Sequence, residues 1–215
     1  MKTTCLADVD TGAAVVEGLL LGAGMIVAIG PQNAFVLRQG LQRSHVFALA
    51  TTCAAADAIL IAAGVAGLGT LVRDHAAWLT AVTVVGVAFL LGYGALSLRR
   101  AFKSETLMPS DARSVSLGAA LGTVLALTFF NPHVYLDTIV VVGGLSARYP
   151  PPANAAFGIG AALASVVWFY GLGYGARLLA PLFARSMAWR ILDVLVAIVM
   201  WGIAASLAVE LWRSG

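Results

Sequence analysis

Residues 18–35 read GLLLGAGMIVAIGPQNAF, an apolar run that ends in a proline followed by two carboxamide side chains. Residues 118–135 read GAALGTVLALTFFNPHVY and follow the same plan, with the proline between an asparagine and a histidine. Each run opens with two glycines four residues apart, which we expect to let helices approach closely, and the prolines are offset by one residue in the alignment. The chain therefore contains two similar apolar segments, interrupted near their ends by Pro31 and Pro132.

The composition excludes a water-soluble globular protein. Of the 215 residues, 60% are hydrophobic and 11% are charged, and the mean hydropathy is +0.93. A soluble domain carries about 25% charged residues, so the charges are too few to cover the surface of a soluble enzyme. The net charge of +3 is too small for a nucleic-acid-binding patch, and Cys5 and Cys53 form no disulfide framework.

Long uncharged stretches predict six membrane-spanning helices, because about 20 apolar residues cross the hydrocarbon core. The predicted class is an all-α polytopic membrane protein, with a polar tail over residues 1–14 and a transmembrane domain over 15–215. Acidic residues before the first run contradict a cleaved signal peptide. The predicted spans are 18–37, 46–72, 76–98, a segment between 113 and 148, 149–176 and 191–209.

Lysine and arginine are distributed unequally between the predicted loops. The loops after spans one, three and five hold nine of the 13 lysine and arginine residues, and all other segments hold four. Cytoplasmic loops are enriched in these residues, so the odd loops are predicted to be cytoplasmic and both termini to lie outside. The nine residues are Arg38, Arg43, Arg99, Arg100, Lys103, Arg113, Arg177, Arg185 and Arg190.

The two similar segments are separated by three spans, an odd number, so the halves of the chain are predicted to be inverted repeats. Repeat one covers residues 15–98, a cytoplasmic linker covers 99–116, and repeat two covers 117–215. Each repeat begins with a broken helix, whose break residues are Gly30 and Pro31 in the first and Pro132 in the second. Matching broken helices in inverted halves indicate the binding site of a secondary transporter.

The breaks have a direct chemical consequence in lipid. Proline removes a backbone donor, and the freed carbonyl groups need partners inside protein or beside a water-filled cavity. The helix that restarts after the break presents free N–H groups and a positive dipole end, which suits a carboxylate. The alternative is a pair of packing kinks. Four polar residues beside the breaks either contact substrate or satisfy freed backbone groups: Gln32, Asn33, Asn131 and His133.

Two acidic residues lie deep within predicted spans. Asp57 is near the middle of the second span, and Asp137 is five residues past Pro132. A charge at the helix centre costs about 2.5–3.5 kcal/mol on insertion scales, so we expect both acids to face the bundle interior and line a polar cavity. A structural pair, hydrogen-bonded to serine, threonine or backbone, is the alternative. Glu17 and Asp193 lie near span ends, where we expect interfacial solvation.

The residues around both breaks resemble a known family. The sequence GPQNAFV at residues 30–36, followed by RQG at 38–40, is similar to the first-helix signature of the lysine exporter (LysE) family. Asp57 stands where that family has its second-helix aspartate. The sequence NPHVYLDT at 131–138 resembles the form of the fourth-helix motif found in the family's arginine exporter branch. The resemblance extends over most of the chain from about residue 17.

The resemblance implies an exporter of L-arginine in the bacterial inner membrane, with L-lysine and canavanine as further substrates. Membrane potential or proton antiport would drive it. Our hypothesis assigns the cationic groups of the substrate to Asp57 and Asp137, because guanidinium and carboxylate form paired hydrogen bonds. The substrate carboxylate would meet the half-helix ends near Asn33 and His133. A buried carboxyl group can hold a proton and release it when a cation binds, so the two acids are also the candidates for proton coupling.

Other functions remain open from the sequence. Exporters of neutral amino acids such as homoserine or threonine tend to carry a lysine where this chain has His133. An intramembrane aspartyl protease needs a Tyr-Asp pair, whereas Asp57 follows Ala56 and Asp137 follows Leu136. A channel or a scaffold subunit would not require matching breaks and buried acids. We expect no enzymatic activity, cofactor, metal or nucleic-acid partner; the partners are a small-molecule substrate and membrane lipid, with a homo-oligomer as an open alternative.

Overall fold

A computed structural model describes residues 11–27, 30–69, 76–103, 115–184 and 186–214. Within these ranges the chain is helical and contains no strand. Four helices are long and apolar enough to cross a membrane, and the number of spans rises to six if each of two interrupted helix pairs is one span. The predicted all-α polytopic fold is thus confirmed, whereas the inverted relation of the halves stays a prediction.

Eight helices, numbered in chain order, make up the described residues. Two short 3-10 turns, Ala176–Leu179 and Leu182–Ala184, join the last two helices. The sixth helix contains a π-helical segment over Leu136–Val142. The helices are α1 Thr11–Ile26, α2 Pro31–Leu41, α3 Val46–Val65, α4 Ala76–Lys103, α5 Leu117–Phe129, α6 Pro132–Ser146, α7 Ala153–Gly175 and α8 Ser186–Ser214.

Several helix ends differ from the predicted ones. α1 begins at Thr11, inside the predicted polar tail, and Ala14 is completely buried; residues 1–10 of that tail lie outside the described residues. α3 ends at Val65, before the predicted limit of 72, and is followed by a turn in which Gly67 has a φ of +90°. α4 runs past its predicted end to Lys103. Charged residues mark where an apolar stretch ends, but they do not end a helix.

Both predicted breaks are present. α1 ends at Ile26 and α2 begins at Pro31, after Gly30 in an extended conformation. α5 ends at Phe129 and α6 begins at Pro132. Proline is well suited to the first helical position, because the N–H it lacks would have no partner within the helix there. The two prolines therefore start new helices rather than bending continuous ones.

The described residues fall into two compact units, and each unit combines segments from both halves of the chain. The bounds of the first unit are Met1–Ala28, Ala54–His75 and His133–Trp168, and those of the second are Ile29–Cys53, Ala76–Pro132 and Phe169–Gly215.

In the first unit, glycine lets α1 and α7 pack backbone to backbone. A Cβ on Gly22 would lie 2.9 Å from the carbonyl oxygen of Ala161, and one on Gly18 would overlap the carbonyl oxygen of Phe157. Small residues at helix contacts are typical of membrane proteins. An apolar core lies beside this contact, formed by Ala14, Ile61, Val142, Ala153, Ala156, Phe157 and Ala161.

The second glycine pair does not share this role. The sequence predicted close helix packing at Gly118 and Gly122 as well, by analogy with the first pair. Among the described residues, no atom lies within 4 Å of a Cβ built on either glycine. The prediction is wrong for this pair, because glycine spacing reports that a close contact is allowed and not that a neighbour is present.

Replacing Gly18 by alanine is expected to destabilise the protein. The added methyl group meets a backbone carbonyl, which cannot rotate away as a side chain can, and overpacking of this kind costs about 1–3 kcal/mol. Gly24→Ala is the matched control, because nothing lies within 4 Å of its Cβ position. Thermal unfolding of the detergent-solubilised variants measures the difference; equal melting temperatures for the two would contradict the packing described for α1 and α7.

In the second unit, α8 packs along α4. The indole nitrogen of Trp201 donates to the carbonyl oxygen of Leu91 at 3.2 Å, and Nε of Arg190 donates to the carbonyl oxygen of Ala101 at 2.9 Å. α2 contacts α4 through an edge-to-face pair of Phe35 and Tyr93, with ring centroids 6.3 Å apart. These contacts bring three helix ends together: the end of α2, the end of α4 and the start of α8.

Candidate functional site

Asp57 is a buried carboxylate on an apolar helix. It lies on the part of α3 that belongs to the first unit and is 7% exposed. Its Oδ2 accepts a hydrogen bond of 2.7 Å from the hydroxyl of Ser165 on α7, which is 4% exposed. The expectation of an enclosed acid is met here. A serine partner is also what we expect if Asp57 is a purely structural acid. The burial of Asp57 therefore does not distinguish a substrate-binding role from a structural one.

Asp137 is placed differently. Its side chain is exposed. A residue that lines an open cavity is exposed as well, so the expectation that both acids line a polar cavity stays a prediction. Asp137 lies in the π-helical segment of α6 and interacts electrostatically with His133, one turn earlier. The wider turn of a π-helix changes which side chains share a face, so spacing counted at 3.6 residues per turn cannot give the direction of this side chain.

The two acids belong to the same unit, and their helices meet close by. A Cβ on Gly64 of α3 would lie 2.7 Å from the carbonyl oxygen of Thr138 in α6, directly after Asp137. Asp57 lies seven residues before Gly64, which corresponds to roughly 10 Å along the helix axis. The first unit thus holds two acidic residues, Asp57 and Asp137. Their backbone positions lie about two helical turns apart along α3.

The polar residues at the breaks lie in the second unit, apart from His133. Gln32 and Asn33 occupy the first turn of α2, and Asn131 precedes α6; all three are half-buried. Within the described part of the chain, Nε2 of Gln32 is buried without a hydrogen-bond partner. A buried donor of this kind costs about 1–3 kcal/mol, which a ligand oxygen would remove. Asn33, Asn131 and His133 each have interaction partners.

Asp193 is a buried ion-pair partner, which corrects the expectation of interfacial solvation. Its side chain is 3% exposed, and its Oδ1 accepts a hydrogen bond from Nη1 of Arg38. Nε of Arg100 lies 4.0 Å from the same oxygen. Asp193 stands near the start of a span, but the ends of α2 and α4 bring two guanidinium groups to it. Glu17 is exposed, as an interfacial acid would be, and accepts a hydrogen bond from the hydroxyl of Tyr149.

Sequence reasoning missed three polar residues that the structure places in protected positions: two of them interact with the charged groups, and the third is a buried carboxamide. Ser165 is an ordinary serine in an apolar run, and no spacing pointed to Asp57 across 108 residues. Arg100 was counted only as a loop cation, yet its guanidinium lies 5.4 Å from the ring centre of Tyr93 and donates to Ser97 at 2.9 Å. Gln39, 2% exposed, has a side-chain oxygen without a hydrogen-bond partner among the described residues.

Interrupted apolar helices together with a carboxylate held inside an apolar span define a class of membrane protein. Ionisable residues at membrane depth are costly and mark substrate or ion pathways, and broken helices are the usual binding elements of secondary transporters. The fold and these groups are those of a multi-pass membrane transporter.

The comparison with known proteins identifies the family. A family model described as LysE type translocator matches residues 23–211. The chain belongs to this family, as the two break motifs predicted. No solved structure matches the chain.

Curated relatives cover most of the chain. A protein of Mycobacterium bovis, named provisionally as an amino-acid transporter, is 48% identical over 83% of this chain and 88% of its own length. The arginine exporter protein ArgO of Pectobacterium atrosepticum is 42% identical over 94% of this chain and 99% of its own length. The ArgO protein of Serratia proteamaculans is 43% identical over 91% of this chain and 96% of its own length.

The family and the apolar helices together confirm the predicted location, a multi-pass protein of the bacterial inner membrane. The relatives are named as transporters or exporters, which agrees with the expectation that the chain is not an enzyme.

Proposed function

We propose that this protein exports basic amino acids from the bacterial cell, with L-arginine as its main substrate and L-lysine and canavanine as further substrates. The observation that carries the proposal is the near end-to-end similarity to arginine exporters, at 42–43% identity over more than nine-tenths of the chain. The side chains support it independently, because the first unit holds two carboxylates and a positively charged substrate needs such partners.

In this proposal Asp57 binds a cationic group of the substrate. The carboxylate is already dehydrated by burial, so a guanidinium that reaches it forms paired, charge-assisted hydrogen bonds without water competing for them. Ser165 occupies one carboxylate oxygen, Oδ2. The hydroxyl group holds the carboxyl group in place through this hydrogen bond.

Asp137 takes the second cationic group. Arginine and lysine carry positive charges at both ends of a flexible chain, and the two acids differ in position by roughly 10 Å along α3. His133 lies beside Asp137, where its imidazole supplies a further polar contact for the substrate. Neutral amino acids such as homoserine lack the second charge, so the pair of acids selects against them.

The polar groups at the break of α2 are proposed to bind the substrate carboxylate. The first turn of α2 has free backbone N–H groups and a positive dipole end, and the unpartnered Nε2 of Gln32 adds a side-chain donor. Asn33 and, at the other break, Asn131 supply further polar contacts. We also propose that the halves 15–98 and 117–215 are inverted repeats; the matching starts of α2 and α6 at prolines support this.

Proton exchange would remove the electrical cost of export. Moving one positive charge out against a negative interior costs about 2.3 kcal/mol per 100 mV. A proton that enters as arginine leaves cancels this charge movement. Asp57 and Asp137 are the proposed carriers, because a carboxyl group that is protonated in the empty site releases its proton to water on the cytoplasmic side when a cation binds.

Efflux from proteoliposomes tests the function and the coupling in one experiment. Vesicles loaded with radiolabelled L-arginine are expected to release it only when they contain the protein, and faster when the outside is made acidic. The physical reason is that the imposed gradient drives protons inward in exchange for arginine. Release equal to that of empty vesicles would contradict the proposed function, whereas release indifferent to the gradient would remove only the proton from the mechanism.

A further inference from the structure

A row of aromatic rings in the second unit ends in an arginine. Phe47, at the start of α3, meets Tyr170 of α7 edge to face, with ring centroids 6.0 Å apart. Tyr170 stacks on Tyr174, one helical turn later, with ring centroids 6.1 Å apart. The guanidinium carbon of Arg177 lies 4.9 Å from the ring centre of Tyr174. Together these four side chains form a continuous aromatic ladder.

Two contacts hold the ladder in place. The hydroxyl groups of Thr51 and Tyr170 are hydrogen-bonded at 2.8 Å, which joins α3 to α7. Further along α7, α2 approaches backbone to backbone, since a Cβ on Gly40 would overlap the carbonyl oxygen of Gly173. Rings that are already fixed lose little freedom when a ligand packs on them, which favours affinity.

The ladder is accessible from outside the second unit. Phe47 is 64% exposed and Tyr174 is 37% exposed, and Leu178, the residue after the arginine, is 85% exposed. Arg177 is exposed as well. Within the described part of the chain its guanidinium lies over the ring of Tyr174 and makes no hydrogen bond or ion pair. The ladder therefore combines an apolar surface with a positive charge whose N–H donors are available.

The protein supplies no carboxylate for this charge among the described residues. The described part of the second unit contains two acidic residues, Asp193 and Glu210. Asp193 is bonded to Arg38. Glu210 lies seventeen residues further along α8, which corresponds to roughly 26 Å, whereas Arg177 lies shortly before the start of α8. An anionic partner from outside the chain therefore complements the charge of Arg177.

The position of the ladder along α7 places the arginine at the membrane surface. α7 has 23 residues and is roughly 34 Å long, slightly more than the hydrocarbon core of about 30 Å. Arg177 follows in the 3-10 turn Ala176–Leu179, where the candidate span also ends. The rings of Tyr170 and Tyr174 thus lie at the edge of the apolar layer, and the guanidinium lies at the level of the lipid headgroups.

We propose that the aromatic ladder binds one acidic phospholipid, with the phosphate on Arg177 and an acyl chain along the rings. The planar fork of a guanidinium matches a phosphate through two parallel hydrogen bonds. A zwitterionic lipid has the same phosphate, but its own ammonium group balances the charge, so the site favours acidic headgroups. The lipid is a partner of the second unit, and its binding does not involve the transported substrate.

The test measures which lipid stays bound to the full-length protein. Native mass spectrometry is applied to protein released from nanodiscs that contain phosphatidylglycerol and phosphatidylcholine in equal amounts, with the same acyl chains. The wild type is expected to retain phosphatidylglycerol about fivefold better than phosphatidylcholine, the effect of one arginine near an anionic surface. In Arg177→Gln this preference is lost.

Three further variants make the test specific. Arg99→Gln is the matched control, because Arg99 is an exposed arginine near the end of α4, and it keeps the wild-type preference. Tyr174→Leu retains an apolar surface but removes the ring under the guanidinium, so the preference falls part of the way. Arg177→Lys retains the charge without the planar fork and also gives a partial loss, which keeps the test decisive if Arg177→Gln folds poorly.

The remaining outcomes overturn the lipid site. These are equal retention of the two lipids by the wild type, and an equal loss of preference in Arg177→Gln and Arg99→Gln, which would reflect general surface charge. Release of phosphatidylglycerol by added inorganic phosphate would make Arg177 an anion site without a role for the rings. A dimer that dissociates in Arg177→Gln would assign the ladder to a contact between two copies. None of these readouts depends on export, so the proposed function is tested separately.

Discussion

Asp57→Asn is expected to abolish arginine export while the protein remains folded in the membrane. Asparagine has nearly the shape of aspartate, and its side-chain oxygen can still accept the hydrogen bond from Ser165. Only the negative charge is removed. Two charge-assisted hydrogen bonds to the substrate, each of about 1.5–3 kcal/mol, are weakened or lost, so the transport rate should fall by at least about a hundredfold. Efflux from proteoliposomes measures it.

Ser165→Ala is the matched control for this variant. It retains the carboxylate and removes its partner, so export should continue, with a loss of stability of about 1–3 kcal/mol from the unsatisfied acid. Asp137→Asn is expected to abolish export as Asp57→Asn does. Full activity in Asp57→Asn would assign that acid to the structural role that its bond to Ser165 also permits.

Asp193→Ala is expected to be the most destabilising single substitution in the second unit. The side chain is 3% exposed and lies between two guanidinium groups. Removing it leaves the half-buried guanidinium group of Arg38 without the carboxylate that accepts its hydrogen bond. Breaking a buried ion pair by removing one partner costs about 3–5 kcal/mol, enough to lower the melting temperature by many degrees or to prevent accumulation in the membrane.

Two variants separate charge imbalance from a general sensitivity of α8. Glu210→Gln removes an exposed acid from the same helix and should leave the melting temperature unchanged. Arg38→Gln combined with Asp193→Asn removes one charge of each sign and should restore most of the lost stability. If the double variant melts as low as Asp193→Ala, charge pairing does not hold Arg38, Arg100 and Asp193 together. The stabilising role described for Asp193 would then be wrong.

The amino-acid sequence predicts the features that depend on neighbours along the chain. Pro31 and Pro132 determine where α2 and α6 begin, because proline fits the first position of a helix and no interior one. Asp57 and Asp137 both lie within long apolar runs, yet Asp57 is buried and Asp137 is exposed, so the run alone does not decide burial. The family follows from two short motifs at these same positions, so the parts of the site that rest on local sequence were predictable.

The features that depend on distant partners were not predictable. Asp193 looks like an interfacial acid until Arg38, 155 residues away, is brought beside it. Asp137 lies in a π-helical turn, so periodicity at 3.6 residues per turn does not give the direction of its side chain. Gly18 and Gly118 begin similar motifs, yet among the described residues only the Cβ position of Gly18 has backbone atoms within 4 Å. Each of these outcomes is decided by tertiary contacts that leave no pattern in a single sequence.

The central claim is that carboxylates inside the membrane select the substrate by its positive charge. Arginine and citrulline test it most directly, because citrulline has nearly the same shape and carries a neutral ureido group in place of the guanidinium. Proteoliposomes containing the wild-type protein are loaded with either compound, and release is measured under the same gradient. The wild type is expected to release arginine rapidly and citrulline not at all, and Asp57→Asn is expected to lose arginine release. Release of citrulline as fast as that of arginine would contradict it.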